Sequence, residues 1–316
     1  MKLQTIVPIE KQSKNAIDYN ARVLLLGSCF SENIGTKFEY YKFNSTQNPF
    51  GILFHPKAIE NLICNSLHQK KYTEKELFFK EERWHSFEVH SNLSNTNKDA
   101  LLTLLNNAVL ETKKQVEKAS HIIITLGTAW VYKHTETNSI VANCHKVPQK
   151  EFTKELLSVA EITESLQTIL TEINNVNKNC TVVFTVSPVR HLKDGFVENT
   201  RSKAHLITAI HKVLQNNKTV YFPSYEIMMD ELRDYRFYQE DMLHPNKTAI
   251  LYIWEKFVSV FFTENCQKTM KEVALIQKGM AHKPFHLESE SHQKFLKKLD
   301  QKKEELKQKH PNLSFF

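Results

Sequence analysis

No stretch of the chain reaches the roughly 18 to 20 apolar positions that a membrane-spanning helix needs. The best candidate, Thr248 to Phe262, is shorter and carries Glu255 and Lys256. The opening Met1-Lys2-Leu3-Gln4-Thr5-Ile6-Val7-Pro8 has neither an apolar core nor a small-residue cleavage site, so no secretory signal is visible and a cytoplasmic location is expected. Cysteine is sparse and odd in number: Cys29, Cys64, Cys144, Cys180 and Cys266 are far apart and form no Cys-x-x-Cys pair. That spacing argues against a disulfide framework and against a zinc ribbon. Charge of one sign is also scarce, since the net charge of +7 is spread over 316 residues. A nucleic-acid footprint needs basic side chains gathered on one face, so neither a nucleic-acid nor a membrane partner is expected. No internal repeat is present. What remains is ordinary in composition, with 41% hydrophobic, 10% aromatic and 24% charged residues. Such a chain folds in water as two domains, or as one large domain with an appendage.

Three aliphatic runs are each followed by a loop and then a helical pattern. They are Val23-Leu24-Leu25-Leu26 before Gly27, Ile122-Ile123-Ile124-Thr125-Leu126 before Gly127, and Val182-Val183-Phe184-Thr185-Val186 before Ser187-Pro188. A weaker fourth, Thr219-Val220-Tyr221-Phe222, ends at Pro223. Near-continuous apolar runs mark strands buried on both faces. Helical spacing is expected over Ser31 to Tyr40, Pro56 to Gln69, Lys98 to Ala119, Phe152 to Asn174, Asn199 to Gln215, Ser224 to Leu232 and Asn246 to Phe262. The alternation predicts an α/β fold over residues 1–263, a three-layer α/β/α doubly wound parallel sheet. Residues 44–97, long and rich in aromatics and histidine, and residues 130–150, which have little helical period, are expected to be loop insertions over the sheet's carboxyl edge, where open α/β sheets bind ligands. Residues 264–316 read as a charged, helical C-terminal extension. Its Phe295, Leu296, Leu299 and Leu306 keep helical spacing, which fits a solvated tail or a face that docks on a partner.

The first strand runs into Gly27-Ser28-Cys29-Phe30-Ser31, a glycine turn, two nucleophiles and a helix start. A side chain there lies at the carboxyl end of a strand and beside a helix N-terminus, where free N–H groups favour anions. One reading is a thiol that ionises readily. The other is a buried structural cysteine with Ser28 or Ser31 capping the helix. Near the other end, Asp241-Met242-Leu243-His244-Pro245 precedes the helix that starts near Asn246. Spacing of three lets the Asp241 carboxylate meet His244 Nδ1 and leaves Nε2 outward, as an acyl-transfer base requires.

With these residues in place the chain resembles the GSCFA family, a branch of the SGNH or GDSL hydrolase superfamily, from about Leu24 to Phe262. Gly27-Ser28-Cys29-Phe30 carries the family's motif, although Ser31 stands where alanine is usual. The resemblance places Cys29 at the nucleophile's position and Ser28 at that of the superfamily's aspartate. It matches Asp241 and His244 to the last conserved block. Gly51, in Asn48-Pro49-Phe50-Gly51, resembles the glycine whose N–H, with that of Cys29, binds the oxyanion. The third block departs: Gly127-Thr128-Ala129 lacks the superfamily's oxyanion asparagine. Thr128, the Trp130 indole, Asn143 and His145 are the candidate substitutes. Asn199 and Lys203 also match the family pattern, on an expected helix.

Other residues admit two readings each. Cys144-His145 near His134 hints at metal, but no second tight ligand pair exists, and neither a metal nor a cofactor is expected. Trp84-His85-Ser86 and Trp130-Val131-Tyr132 either line a pocket for sugar rings or acyl groups or pack in the core. Arg190 either holds an anionic substrate or fixes its loop by an ion pair. His55, His90, His121 and His191 read as surface or capping residues. The resemblance implies acyl transfer from an acetylated carbohydrate or other small ester, through Cys29, His244 and Asp241. The alternative is a ligand-binding module on the same fold without turnover. Oligomeric state is left open.

Overall fold

The computed structural model describes residues 4–214, 218–286, 288–311, 313 and 315. The strands in chain order are β1 (Arg22–Gly27), β2 (Asn44–Gln47), β3 (Phe78–Lys80), β4 (Arg83–His85), β5 (His121–Leu126), β6 (Trp130–His134), β7 (Ile140–Val141), β8 (Phe152–Leu156), β9 (Thr181–Val186) and β10 (Thr219–Phe222). The helices are α1 (Cys29–Tyr40), α2 (Pro56–Leu67), α3 (Lys98–Lys118), α4 (Val159–Val176), α5 (Phe196–Val213), the short α6 (Ser224–Glu226), α7 (Lys247–Phe261), α8 (Glu264–Met280) and α9 (Glu290–Lys309).

Alternation along the central strands builds the layers. Leu24 and Leu26 of β1, Ile122 and Ile124 of β5, and Val182 and Phe184 of β9 face one core, with α2, α3, α4 and α5. Val23, Leu25, Ile123 and Val183 face the other, with α1, α7 and α8. Both faces are thus apolar and covered, as a parallel sheet requires. The five parallel strands run β10-β9-β5-β1-β2, so the order reverses between β1 and β5. The crevice outside the carboxyl ends at that switch point is where such sheets bind ligands.

The expected α/β/α sheet is therefore present, with differences in its details. Residues 44–97 are more than a loop: Asn44–Gln47 pairs with β1 as the edge strand, and Phe78–Lys80 pairs antiparallel with Arg83–His85. Residues 130–150 contain β6 and β7, which with β8 form a three-stranded antiparallel sheet. The expected helix from Phe152 begins later, because β8 takes Phe152–Leu156 and Ser158 closes a capping box with Glu161 ahead of α4. In the expected helix Ser224 to Leu232 only one α turn forms, followed by a π-helical turn over Ile227–Glu231. For the expected helix Asn199 to Gln215, Gln215 lies outside the described residues.

The C-terminal helices are no free tail. Cys266, Met270, Val273 and Ile276 of α8 and Leu299 and Leu306 of α9 are buried in the core that backs α1. At Gly279 a Cβ would come within 2.7 Å of Leu299, so the two helices cross closely there. Phe295, by contrast, is 37% exposed.

Candidate active site

Gly27 ends β1 at φ +127°, a region that excludes an L side chain, and turns the chain into α1. The turn is fastened on both sides: Gly27 N–H donates to Asn48 Oδ1 at 2.9 Å, and Ser28 N–H donates to Thr125 O at 3.0 Å. Cys29 thereby becomes the first residue of α1, half-buried, with its sulfur near its own N–H and that of Phe30. The helix N-terminus does favour the thiolate, and so does Lys203. Burial outweighs them, and with Glu32 it pushes the thiol above its ordinary value. Of the two readings of this residue, the raised direction favours a thiol that keeps its proton over one that ionises readily.

Asp241 and His244 sit on the loop before α7. Met242 takes φ 58°, and the tight turn points the Asp241 carboxylate back at its own loop. Its Oδ1 accepts from Leu243 N–H at 2.9 Å and His244 N–H at 3.0 Å, while Oδ2 lies 2.6 Å from His244 Nδ1. Those donors hold the carboxyl at about 2, below the usual range. The arrangement fixes the imidazole and leaves Nε2 for reacting groups.

Register brings this loop to the nucleophile's edge. Gly27 pairs with Thr125, and Leu126 pairs with Val186, so Cys29, Gly127 and Ser187 end three adjacent strands at a similar level. Arg190 N–H, just past β9, donates to Leu243 O at 3.2 Å and ties the His244 loop to that edge. The Lys203 charge acts on both Cys29 and His191, and His244 acts on His191.

One face of α5 organises the strand ends. Asn199 Oδ1 accepts from His191 N–H at 2.9 Å, Ser202 Oγ accepts from Ala129 N–H at 2.7 Å, and Lys203 Nζ donates to Gly127 O at 2.7 Å and Ser187 O at 2.8 Å. Asn199 and Lys203, which match the family pattern, lie on the expected helix and brace these strand ends. Ser202 was not expected, since a serine inside a helical pattern carries no signal of a loop 73 residues away.

The expected substitutes for the missing asparagine are only partly engaged in other bonds. Trp130 Nε1 donates to Glu198 O at 3.2 Å, Thr128 Oγ1 bonds Ser202 and Trp130 N–H, and Asn143 Oδ1 accepts from His145 N–H. His145 Nε2 lies 2.7 Å from Ser86 O. All four residues instead line a cavity of about 490 Å³, with Phe54, Tyr132 and His191. Gly51 N–H donates to Asn48 O at 2.7 Å in a tight turn, so it is not a free oxyanion donor in this conformation. Ser28 is fully buried and its Oγ has no partner, neither capping α1 nor bonding the turn. Among the described residues Arg190 forms no ion pair: Nε donates to Tyr238 Oη at 3.2 Å, and the guanidinium stacks on that ring at 4.2 Å. Trp84 packs against the core and under Lys98, whereas Trp130 and Tyr132 face the cavity.

His55, His121 and His145, expected to be surface, capping or pocket-donor residues, are buried, His191 is half-buried, and burial pushes all four below the ordinary histidine value. His55 caps α2 through Nδ1 and donates from Nε2 to Val141 O, and burial pushes it down to about 4. Burial likewise lowers His145 to about 4 and His191 to about 3, the latter with help from Lys203. His191 Nε2 is buried against Gly127 and Phe54 without a partner. The unfolded chain takes up three protons near pH 6.5 that the fold refuses until about pH 4 to 3, so stability is full above pH 6.5 and falls below it. Urea unfolding at pH 5 is expected to show about 5 to 6 kcal/mol less stability than at pH 7; a flat profile over that range would contradict the assignment.

Among the described residues no group of three or more His, Cys, Asp or Glu side chains could hold a metal ion, and no helix is long and apolar enough to cross a membrane. No curated protein matches the chain. The GSCFA family matches residues 22–257, and the GSCFA domain protein, C-terminal domain, matches residues 273–316.

Proposed function

The chain belongs to the GSCFA family, and from that premise we propose that it is an acyl-ester hydrolase or acyltransferase of the SGNH type, with Cys29, His244 and Asp241 as its reacting triad. The observation that carries the reading is the 2.6 Å contact between Asp241 and His244 Nδ1, on a loop tied to the sheet edge where Cys29 starts α1. Cys29 Sγ attacks the ester carbonyl as His244 Nε2 takes the thiol proton, and Asp241 stabilises the imidazolium. The oxyanion is met by the N–H groups of Cys29 and Phe30 at the helix N-terminus. His244 returns the proton to the leaving alkoxide, leaving a thioester on Cys29. Water, or an acceptor hydroxyl, then attacks the thioester while His244 takes its proton, and the acid or new ester departs with Cys29 restored.

Because burial and Glu32 push the thiol up, the reading gives His244 the task of taking its proton. The cavity is not lined by the triad itself and reaches this edge through Thr128 and His191; its Trp130 and Tyr132 favour an acetylated carbohydrate among small esters. Ala129, fully buried where the superfamily has an amide donor, favours the second reading, a binding module without turnover.

The full chain mixed with p-nitrophenyl acetate is expected to release a burst of nitrophenol equal to the protein, then to turn over, with acetate on the Cys29 peptide by mass spectrometry. Acylation without turnover identifies a transferase awaiting its acceptor. Absence of any acylation overturns the proposal in favour of the binding module.

A further inference from the structure

The mechanism above leaves one charged group without a task. Lys203 is 1% exposed, and among the ion pairs of the described residues none includes it. An ammonium taken out of water costs several kcal/mol unless its charge is matched, and two carbonyl oxygens match it only in part. If Gly127 O and Ser187 O needed nothing more than hydrogen-bond donors, a neutral amide or hydroxyl would serve without that cost.

We infer that Lys203 is the buried counter-charge of the Cys29 thiolate, a positioning residue that lets the nucleophile ionise in a site otherwise hostile to it. The placement supports this from the backbone upward. The two carbonyls that hold Nζ, at 2.7 and 2.8 Å, end β5 and β9 at the level reached by Cys29 beyond β1. The ammonium is thus anchored across the carboxyl ends of β5 and β9, beside the switch point and shielded from solvent. Its third side is bounded by the Tyr225 ring, 5.6 Å away, which accepts no proton there. Glu32 on α1 repels a thiolate and His191 is held neutral, so neither favours ionisation as Lys203 does.

The coupling is reciprocal. Burial brings Lys203 down to about 7, and the Cys29 charge acts in the opposite sense, raising it. Proton release from Cys29 therefore strengthens the hold of Lys203 on its own proton. Transfer of the thiol proton to His244 turns an uncompensated buried cation into one half of an ion pair, so the step that creates the nucleophile also relieves the strain of burying Lys203.

This deepens the acyl-transfer reading by saying what activates the same cysteine, but its test needs no ester. The rate of Cys29 alkylation by iodoacetamide, followed by mass spectrometry against pH, reports the thiolate directly. Lys203→Met is expected to move the midpoint up by about one pH unit and slow labelling about tenfold at neutral pH, and Lys203→Arg to stay nearer the parent. A merely structural brace would alter exposure but leave the midpoint unmoved. If Lys203→Met fails to fold by circular dichroism, the parent and Cys29→Ser are compared by titration of the lysine Nζ resonances. Loss of the thiol must then lower the pH at which Lys203 gives up its proton. Superimposable alkylation profiles, or a Lys203 titration indifferent to Cys29→Ser, overturn the inference. A failed nitrophenyl ester assay beside a shifted alkylation profile would sink the acyl-transfer reading alone.

Discussion

Cys29→Ala is expected to abolish turnover of p-nitrophenyl acetate and to make the protein indifferent to iodoacetamide at this site, while leaving the fold intact. The thiol contributes no packing that a methyl group cannot replace, since Cys29 is only half-buried and starts a helix whose core contacts come from Phe30, Ile34 and Phe38. Chemistry alone is lost, and with it the entire covalent route. Cys29→Ser keeps the geometry but replaces a thiol by a hydroxyl that does not ionise, so only weak activity is expected. Ser28→Ala is the decisive control. Its buried Oγ has no hydrogen bond to lose, so removing it spares an unsatisfied hydroxyl and turnover should persist. Should Ser28→Ala be inactive while Cys29→Ala still turns over the same ester, the nucleophile has been misassigned.

The second large effect is on folding. Gly27→Ala would place a Cβ 2.1 Å from the carbonyl oxygen of Thr125, at a φ of +127° that alanine rarely adopts. Neither element can yield: Thr125 is bonded into the centre of the sheet, and its oxygen accepts from Ser28 N–H. Backbone strain of about 1 to 3 kcal/mol adds to the clash. The variant is expected to lose about 4 kcal/mol or to fail to fold, read as a drop in the urea midpoint. At Gly127 the corresponding Cβ meets Phe54 O at 3.1 Å with no positive φ, so Gly127→Ala serves as the milder comparison. Equal midpoints for Gly27→Ala and the parent protein would refute the steric account.

The central strands were legible because burial on two faces makes β1, β5 and β9 apolar at nearly every position. Edge strand β2 escaped notice for the opposite reason: Asn-Ser-Thr-Gln is polar, pairs on one side only and buries little. Strand β8 was absorbed into the helix that follows it, since Phe152 and Leu156 are four apart and so satisfy a helical period as well as a strand's. The Ser158 and Glu161 capping box marks the true start and was readable. At the candidate site, local spacing disclosed what is local: Asp241 to His244 is a contact across three residues. What spacing does not carry is the sum of distant groups. The raised thiol, the neutral His191 and the role of Ser202 all depend on burial, on Glu32 and on α5, which the sheet brings together only after folding.

Helix α5 presents Asn199, Ser202 and Lys203 at positions three and four apart, one on each of three tethers to the ends of β5 and β9. At about 100° per residue, a single inserted or deleted residue ahead of Asn199 would swing all three away together. The loops themselves are free to drift in sequence, because what they require of the chain is a carbonyl or an amide, groups that every residue supplies. Inheritance of this crevice is therefore a matter of phase: the angular setting of one helix is the quantity that descent must keep constant, and the loops above it are where descendants can diverge.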